Sequence, residues 1–410
     1  MSFSLRPYQI EIATKWTDIL QKYGIFYCTA EVRTGKTLIA LETVRLYGAK
    51  NCLFVTKKKA ISSIESDYKN FGYTYQLTVT NYENIHNIDT SVFDIAILDE
   101  AHGTISGFPK PSLSQKQIKK ALSKLPIIFL SGTPIIESAC KIFPTLGVSD
   151  RSPFKAYKNF YAWFKDYGIP KTIYTSYGQA IDYSNSKTDK ILREIDHLLI
   201  SWTQEQSWFS TKITEHIIRV RLEDSTYSLI RKLVKDRVIV GKNHTILADT
   251  GVKLQIVLHQ LFSWTIKFED GTSQIIDRSK ANLLKERFWI KKIAILYCFK
   301  QELELLKEVY RGHLTTDLEE FNTTDKSYAW QFVATREGVN LSKAEALVFF
   351  NLPFSWTSYV QWRDRMSSKD REENHVYFMC SDHWIEEKIL EIVREKGDYS
   401  NKIFKRDFLT

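Results

Sequence analysis

The stretch Ala30–Thr37 reads AEVRTGKT and lies between an apolar run, Ile25–Thr29, and a segment with helical spacing, Lys36–Tyr47. A glycine-containing turn that joins a strand to a helix is the context of a phosphate-binding loop, because backbone N–H groups and the helix N-terminus attract phosphate oxygens. In such a loop the Lys36 ammonium reaches the β- and γ-phosphates of a nucleotide and the Thr37 hydroxyl ligates magnesium. Taken alone, the stretch also fits an ordinary strand-to-helix turn with a surface lysine.

Two adjacent carboxylates, Asp99 and Glu100, follow a second apolar run, Ile95–Leu98. Asp99 is placed to hold the magnesium that Thr37 also ligates, directly or through water. Glu100 is placed to orient and deprotonate an attacking water, since phosphoryl transfer to water needs a positioned base. A solvated loop is the alternative, and the upstream phosphate loop favours the catalytic interpretation.

Small hydroxyl residues follow a third apolar run, Ile127–Leu130. We expect Ser131 and Thr133 to hydrogen-bond Glu100 or His102 and also the second half of the molecule. That arrangement would couple the state of the bound nucleotide to the geometry of the two halves.

Short apolar runs joined by helical segments predict an α/β fold with parallel sheets covered on both faces. The pattern predicts a first lobe over residues 1–148 and a second over residues 211–410. Further strands are expected in the second lobe at Ile293–Tyr297, Gln331–Ala334, Ala346–Phe350 and Val376–Met379, with a helix from Lys300 and an appended hairpin near 251–277.

The segment 149–210 differs in composition from its neighbours. It begins with dense aromatic residues and continues with a polar stretch near 172–187. We expect a helical insertion with an exposed loop rather than a continuation of the first sheet, and we expect its aromatic stripe to be core rather than a ligand site.

Composition sets limits on the class of protein. The 410 residues carry 57 Lys and Arg against 48 Asp and Glu, a formal net charge of +9, which favours a polyanionic partner but also fits plain solubility. The five cysteines form no CxxC pair, which disfavours a zinc module or disulfides and favours a reducing, cytoplasmic compartment. No apolar run is long enough for a membrane span.

With these residues established, the chain resembles the superfamily-two helicases, and within them the Swi/Snf-type DNA-dependent ATPases in a compact form like that of bacteriophage members. The segments that carry the resemblance, in the family's order, are LRPYQ (Leu5–Gln9), AEVRTGKT (Ala30–Thr37), FVTKKKAI (Phe54–Ile61), TVTNYENI (Thr78–Ile85), LDEAH (Leu98–His102), LSGTP (Leu130–Pro134), KIAILY (Lys292–Tyr297), TREGVNL (Thr335–Leu341) and QWRDR (Gln361–Arg365). The resemblance implies two RecA-like lobes that bind ATP and magnesium in the cleft between them.

The same resemblance implies further nucleotide contacts. Gln9 would read the adenine, and Gly338 and Asn340 would contact the nucleotide from the second lobe. Gln361 and Arg365 would complete the catalytic set, with Arg365 as the arginine finger that neutralises charge in the transition state.

Two departures from the family pattern affect these roles. Arg33 stands inside the phosphate loop, beside Thr34 and Gly35, where the family often has glycine. Ser368 stands where the family has a second arginine, so a helper for Arg365 is left open between Arg363 and Arg371.

Lobes of this kind hold one strand through its phosphates, with hydroxyls, backbone N–H groups and lysines at strand ends. The candidates for DNA binding are Lys57, Thr80 and Asn81 in the first lobe and Arg336 in the second. Trp362, like Trp356, is expected to pack rather than to stack bases, and His259 is expected to be a core residue.

The resemblance implies an ATP-driven translocase or helicase on duplex or branched DNA, serving recombination, repair or replication, in a host cytoplasm if phage-encoded. Two alternatives remain at this point. One is an RNA-directed helicase, because DEAH occurs across the superfamily. The other is a non-hydrolysing, ATP-gated DNA clamp, which the missing second arginine favours.

Overall fold

The computed structural model divides the chain into two compact units, Met1–Phe209 and Ser210–Thr410. The structure describes residues 4–30, 34–131, 138–175, 178–202, 212–241, 244–332, 341–363, 366, 373–381 and 385–395. Among these residues no helix is both long and apolar enough to cross a bilayer.

The first unit is built on a six-stranded sheet in which every neighbouring pair is parallel. Its elements are α1 (Pro7–Tyr23), β1 (Ile25–Ala30), α2 (Lys36–Tyr47), β2 (Asn51–Thr56), α3 (Ile61–Asn70), β3 (Gln76–Asn81), β4 (Ile95–Asp99), α4 (Ala101–Thr104), α5 (Leu113–Leu122), β5 (Ile127–Ser131), α6 (Ile142–Leu146), α7 (Phe160–Tyr167), β6 (Lys171–Thr175), β7 (Gly178–Asp182), α8 (Thr188–Ile195) and β8 (Leu199–Trp202). The strand order is β3-β2-β4-β5-β1-β8.

The central strands form because they are almost entirely apolar. All six residues of β1 and all five of β5 are buried, as expected for strands covered by helices on both faces. Helix α2 ends at Gly48, which adopts the left-handed conformation at φ +80° that a helix C-terminus often needs. The predicted strands of this unit are confirmed.

The expectation of a helical insertion at 149–210 is wrong in part. The segment belongs to the first unit, and it contains the antiparallel hairpin β6–β7 as well as α7 and α8. Its last strand, β8, continues the main sheet by pairing with β1, Tyr27 opposite Leu199. Because β8 is a four-residue edge strand and only partly buried, it lacks the apolar run that reveals a central strand.

Most of the aromatic stripe of this segment lies in the core, as predicted, but Tyr157 is half-buried and Tyr161 is 42% exposed. Its buried members are Phe154, Phe160, Trp163, Phe164 and Tyr167.

The second unit has the same architecture: a six-stranded parallel sheet of order β15-β16-β14-β17-β18-β9. Its elements are β9 (Lys212–Val220), α9 (Asp224–Asp236), β10 (Val238–Val240), β11 (Thr245–Leu247), α10 (Gly251–Phe262), β12 (Thr265–Lys267), β13 (Ser273–Ile275), α11 (Ser279–Phe288), β14 (Ile293–Tyr297), α12 (Lys300–Tyr310), β15 (Leu314–Thr315), α13 (Leu318–Thr323), β16 (Ser327–Gln331), β17 (Ala346–Phe349), α14 (Trp356–Arg363), β18 (Glu373–Ser381) and α15 (Ile385–Arg394). Two parallel sheets flanked by helices confirm the predicted pair of RecA-like lobes.

One predicted strand of this unit is misplaced. The strand expected at Gln331–Ala334 corresponds to β16, Ser327–Gln331, which pairs with β14 through Tyr328 opposite Ala294. Residues 333 and 334 of the expected strand lie outside the described part of the chain. The apolar run was misleading because Phe332 is buried after the strand has ended, where its N–H donates to the Tyr297 carbonyl. The expected hairpin is present as β12–β13, preceded by helix α10.

Candidate nucleotide site

The strand order of the first unit brings the phosphate loop and the carboxylate pair to one edge of the sheet. Strand β5 pairs with β1 on one side and with β4 on the other. All three run parallel, so their carboxyl ends meet at the same edge. The ends of β1 and β4 are therefore about 10 Å apart, two inter-strand spacings.

The phosphate loop is described from Thr34 onward. Gly35 has φ +80°, a left-handed conformation that suits glycine, and it directly precedes α2. The Lys36 Nζ donates to the carbonyl of Ala30 at 3.0 Å, so the ammonium lies back over the end of β1. Burial raises the pKa of the nearby Cys28 thiol to about 12, and the positive charge of Lys36 opposes this rise. Thr37 is half-buried on the first turn of the helix.

Helix α1 covers this loop. The Tyr8 hydroxyl donates to the Thr34 carbonyl at 3.2 Å, and the Tyr8 ring stacks on Trp202 at 6.4 Å. Gln9 is buried beside Gly35, where a Cβ would collide with its Nε2. Its Oε1 accepts from the Arg6 N–H at 2.9 Å, which fixes the amide at the start of α1. The proposed adenine reader therefore lies next to the phosphate loop.

The carboxylate pair lies at the end of β4. Asp99 Oδ2 accepts from the Thr56 hydroxyl at 2.9 Å, and the Asp99 carbonyl accepts from the Tyr82 hydroxyl at 2.7 Å. Glu100 follows in the left-handed region at φ +50°, with its N–H donating to the Leu130 carbonyl at 2.9 Å. The two carboxylates differ in exposure: Glu100 is only 8% exposed, while Asp99 is half-buried.

Ser131 ends the intervening strand and is fully buried. Burial raises the pKa of the neighbouring Tyr27, the nearby Ser131 side chain opposes that shift, and the charge of Glu100 adds to it. Ser131, Tyr27 and Glu100 therefore interact at this edge, which is where the coupling interpretation needs Ser131 to be.

The sequence analysis missed three residues of this site. Tyr8 supports the loop, while Thr56 and Tyr82 hold Asp99. Thr56 ends strand β2 at the same sheet edge. A hydroxyl residue at the end of a predicted strand could have identified Thr56 from the sequence.

The candidate DNA-binding residues of the first unit differ in exposure. Lys57 is exposed directly after β2. Asn81 is half-buried, and its Oδ1 accepts from the Asn84 N–H at 2.9 Å. Thr80 is only 4% exposed, and its hydroxyl accepts from the Asn84 amide. The hydroxyl proton stays available to a phosphate, so burial and not this hydrogen bond limits a contact from Thr80.

In the second unit a buried polar network lies where β14 and β17 end. Glu302 accepts from the N–H groups of Cys298 and Phe299 at 2.6 and 2.8 Å, and from the Asn351 amide at 2.8 Å. Burial raises the pKa of Glu302 and the nearby Lys280 charge opposes that shift. The network fixes the backbone at Asn351, which leads into α14.

His259 lies beside this network and is 4% exposed, which confirms its core placement. Its ring packs against Phe354 at 4.5 Å, and its Nε2 has no hydrogen-bond partner among the described residues. Burial and the Lys280 charge lower the pKa of His259 to about 3.

Several predicted residues lie outside the described part of the chain. Nothing is described of Arg33, Thr133, Arg336, Gly338, Asn340, Arg365, Ser368 and Arg371, nor of the side chains of His102, Trp356 and Gln361. Arg363 is described, with its guanidinium 5.5 Å from the centre of the Tyr359 ring. Trp362 is fully buried in the second core, 6.1 Å from Trp330, so it is not available for base stacking.

Comparisons with known proteins give likenesses of fold only. The chain is similar to the SWI2/SNF2 ATPase core of Sulfolobus solfataricus in complex with dsDNA, with 14% identity, coverage of 99% of this chain and 93% of that chain, and a TM-score of 0.44. The SWI2/SNF2 ATPase core domain of the same organism aligns at 14% identity over 100% of this chain and 91% of that chain, with a TM-score of 0.41. No protein-family model matches the sequence. No curated protein matches it either.

Proposed function

We propose that the protein is an ATP-dependent DNA translocase or helicase of superfamily two, acting on duplex or branched DNA. The observation that carries the proposal is the shared sheet edge: the Lys36 loop follows β1, and two strands away Asp99 ends β4 and Glu100 follows it. A phosphate cradle and a carboxylate pair at one edge of a parallel sheet are what triphosphate hydrolysis requires.

Each residue has a role in this proposal. Backbone N–H groups from Thr34 to Lys36 and the N-terminus of α2 bind the phosphates, and the Lys36 ammonium turns from the Ala30 carbonyl to the γ-phosphate. Glu100, held by its turn, accepts a proton from the attacking water.

The donors at this edge also suit magnesium, which prefers a carboxylate, a hydroxyl, phosphate oxygens and water. Thr37 and Asp99 would hold it, and the Thr56 hydroxyl would orient the Asp99 carboxylate. When bound, the metal neutralises charge on the β- and γ-phosphates.

DNA is the proposed track because of the order of the motifs, the net charge of +9 and the exposed Lys57 next to the nucleotide edge. The roles of Gln9, Arg33, Asn81, Arg336, Gly338, Asn340, Gln361 and Arg365 stay predictions, as do recombination, repair or replication as the setting. In this proposal hydrolysis requires Arg365 from the second unit, so that ATP turnover is coupled to movement.

The test compares Lys36→Ala with Lys50→Ala, which removes an exposed lysine shortly after α2. We expect Lys36→Ala to lower the DNA-stimulated ATPase rate by at least about 100-fold, the loss typical of a group that binds transition-state charge. We expect Lys50→Ala to hydrolyse ATP normally and both variants to keep most duplex DNA binding. Normal turnover by Lys36→Ala would refute the site.

The choice of activator separates the alternatives. Stimulation by duplex or forked DNA supports the proposal, and stimulation by RNA alone supports an RNA-directed helicase. An unmodified protein that binds DNA in the presence of ATP but does not hydrolyse it, even with DNA in excess, is an ATP-gated clamp.

A further inference from the structure

The first unit contains a second concave site, away from the nucleotide edge. It is a cavity of about 580 Å³ lined by α5, α6, the start of α7 and the loops 107–111 and 149–159. The part of the cavity at Asp150 lies near the amino end of the sheet. There the Asp150 N–H donates to the Ser123 carbonyl, and the Arg151 guanidinium donates to the carbonyls of Lys124 and Leu125, just before β5.

The rim of this cavity is strongly cationic. One carboxylate, Asp150, lines it, and that group accepts from the Ser123 hydroxyl at 3.1 Å. None of the lining ammonium groups forms an ion pair with a carboxylate in the described part of the chain. The lining lysines are Lys110, Lys116, Lys119, Lys155 and Lys158, all exposed.

The walls are apolar and aromatic. Phe154 and Phe160 form the buried backing of the wall, at 2% and 5% exposed. Phe143 is half-buried and also lines the cavity, with its ring centre 6.3 and 6.0 Å from theirs, so it is the accessible ring of the three. A concave apolar surface of this size is the usual form of a small-ligand site.

Gln115 adds a specific polar requirement to this wall. It is only 8% exposed, and its Nε2 donates to the Pro144 carbonyl at 3.0 Å, which identifies the other amide atom as oxygen. That Oε1 is buried and has no donor among the described residues. A buried acceptor without a partner is unfavourable, so a ligand whose N–H reaches this oxygen when the wall opens is favoured.

We propose that this cavity binds a nucleotide unit, with its base against the aromatic wall and its phosphate on the lysine rim. A base provides both a flat apolar face and N–H donors for the Gln115 Oε1. A phosphate provides the anion for Lys116 and Lys119, which lie on the same face of α5. The site is independent of the Lys36 loop, and its ligand is either a free nucleotide or a nucleotide of a single strand.

The experiment uses the full chain with Lys36→Ala, so that the first nucleotide site does not contribute. Binding of mant-AMP and of a fluorescein-labelled dA4 is followed by fluorescence anisotropy. The test variant is Lys116→Glu/Lys119→Glu. The matched control, Lys120→Glu/Lys124→Glu, makes the same charge change at lysines of the same helix and its end that do not line the cavity.

We expect the test pair to weaken binding roughly tenfold or more and the control pair to weaken it less than about twofold, because only the former removes direct phosphate contacts. For dA4 the slope of log K against log salt should become shallower by about 1.4, which is two contacts on a single strand. If the test pair weakens binding of both mant-AMP and dA4, the cavity is a free-nucleotide site. If it weakens binding of dA4 alone, the cavity binds a nucleotide of a single strand.

A second comparison tests the wall. The mant ester of purine riboside 5′-monophosphate has no N–H on its base, so it should bind the Gln115 protein several-fold more weakly than mant-AMP does. The two ligands should bind a Gln115→Met variant equally. The proposal would be overturned if the test and control pairs lost affinity for the probes equally, or if neither probe bound at all. So would lysine-dependent binding of a poly-Glu peptide in the absence of nucleotide binding.

Discussion

Helices α11 and α15 of the second unit are joined by a buried ion pair. The Lys280 Nζ lies 2.9 Å from Glu386 Oε1, and both side chains have no exposed surface. The other carboxylate oxygen accepts from the N–H and hydroxyl of Ser381, each at 2.6 Å. The ammonium also lies 5.2 Å from the Trp264 ring and 5.3 Å from the Phe350 ring.

We expect Lys280→Met to destabilise the second unit by about 3–5 kcal/mol, since it leaves Glu386 buried without its cation. Methionine keeps most of the side-chain length, so little of the loss comes from packing. The double variant Lys280→Met/Glu386→Gln should recover at least half of the stability that Lys280→Met loses. The uncompensated charge is gone in this variant, while the introduced glutamine still supplies an acceptor for Ser381.

The exposed pair Arg278–Glu308 is the matched control. Its side chains are 51% and 54% exposed, so Arg278→Met should cost less than about 1 kcal/mol. Hydrogen exchange of the full chain, followed by mass spectrometry, measures the free energy of opening for peptides of β14 and β17. Peptides of β4 and β5 serve as the internal standard. If Lys280→Met lowers the free energy of opening by no more than Arg278→Met does, that result refutes the argument.

Two further predictions concern acid stability and the metal site. The pKa of His259 is near 3 in the folded protein but about 6.5 unfolded, so below pH 6.5 only the unfolded chain takes up this proton. Stability should therefore fall by up to about 1.4 kcal/mol per pH unit between pH 6.5 and 3, and urea titrations of His259→Met should lack this part of the slope. Thr56→Val removes the hydrogen bond to Asp99 while keeping the shape of a fully buried side chain. We expect roughly tenfold lower kcat, with a higher magnesium requirement in ATPase titrations and an unchanged urea midpoint; unchanged kinetics would remove Thr56 from the site.

The sequence was sufficient for the central strands because burial on both faces requires continuous apolar runs. Ile95–Leu98 and Ile293–Tyr297 illustrate this, and the phosphate loop could be placed because β1 precedes it and α2 follows it. The edge strand β8 was not predicted because it is short and only partly buried. Strand β16 was placed a few residues too late because the buried Phe332 extends the apolar run past its end.

The supporting contacts of the site were harder to predict. Thr56 and Tyr82 reach Asp99 from positions 43 and 17 residues away, and neither lies in a pattern that marks a partner. The ion pair between Lys280 and Glu386 spans 106 residues. Such contacts follow from how strands are ordered in the sheet, which local periodicity does not encode.

The backbone at Glu100 has a consequence for engineering this protein. A side chain in the left-handed region costs about 1–2 kcal/mol relative to glycine, so this position is conformationally unfavourable for the residue it holds. A library screened for heat resistance alone would tend to select glycine there and so lose the carboxylate. Variants of this chain should therefore be screened for thermal tolerance and turnover together.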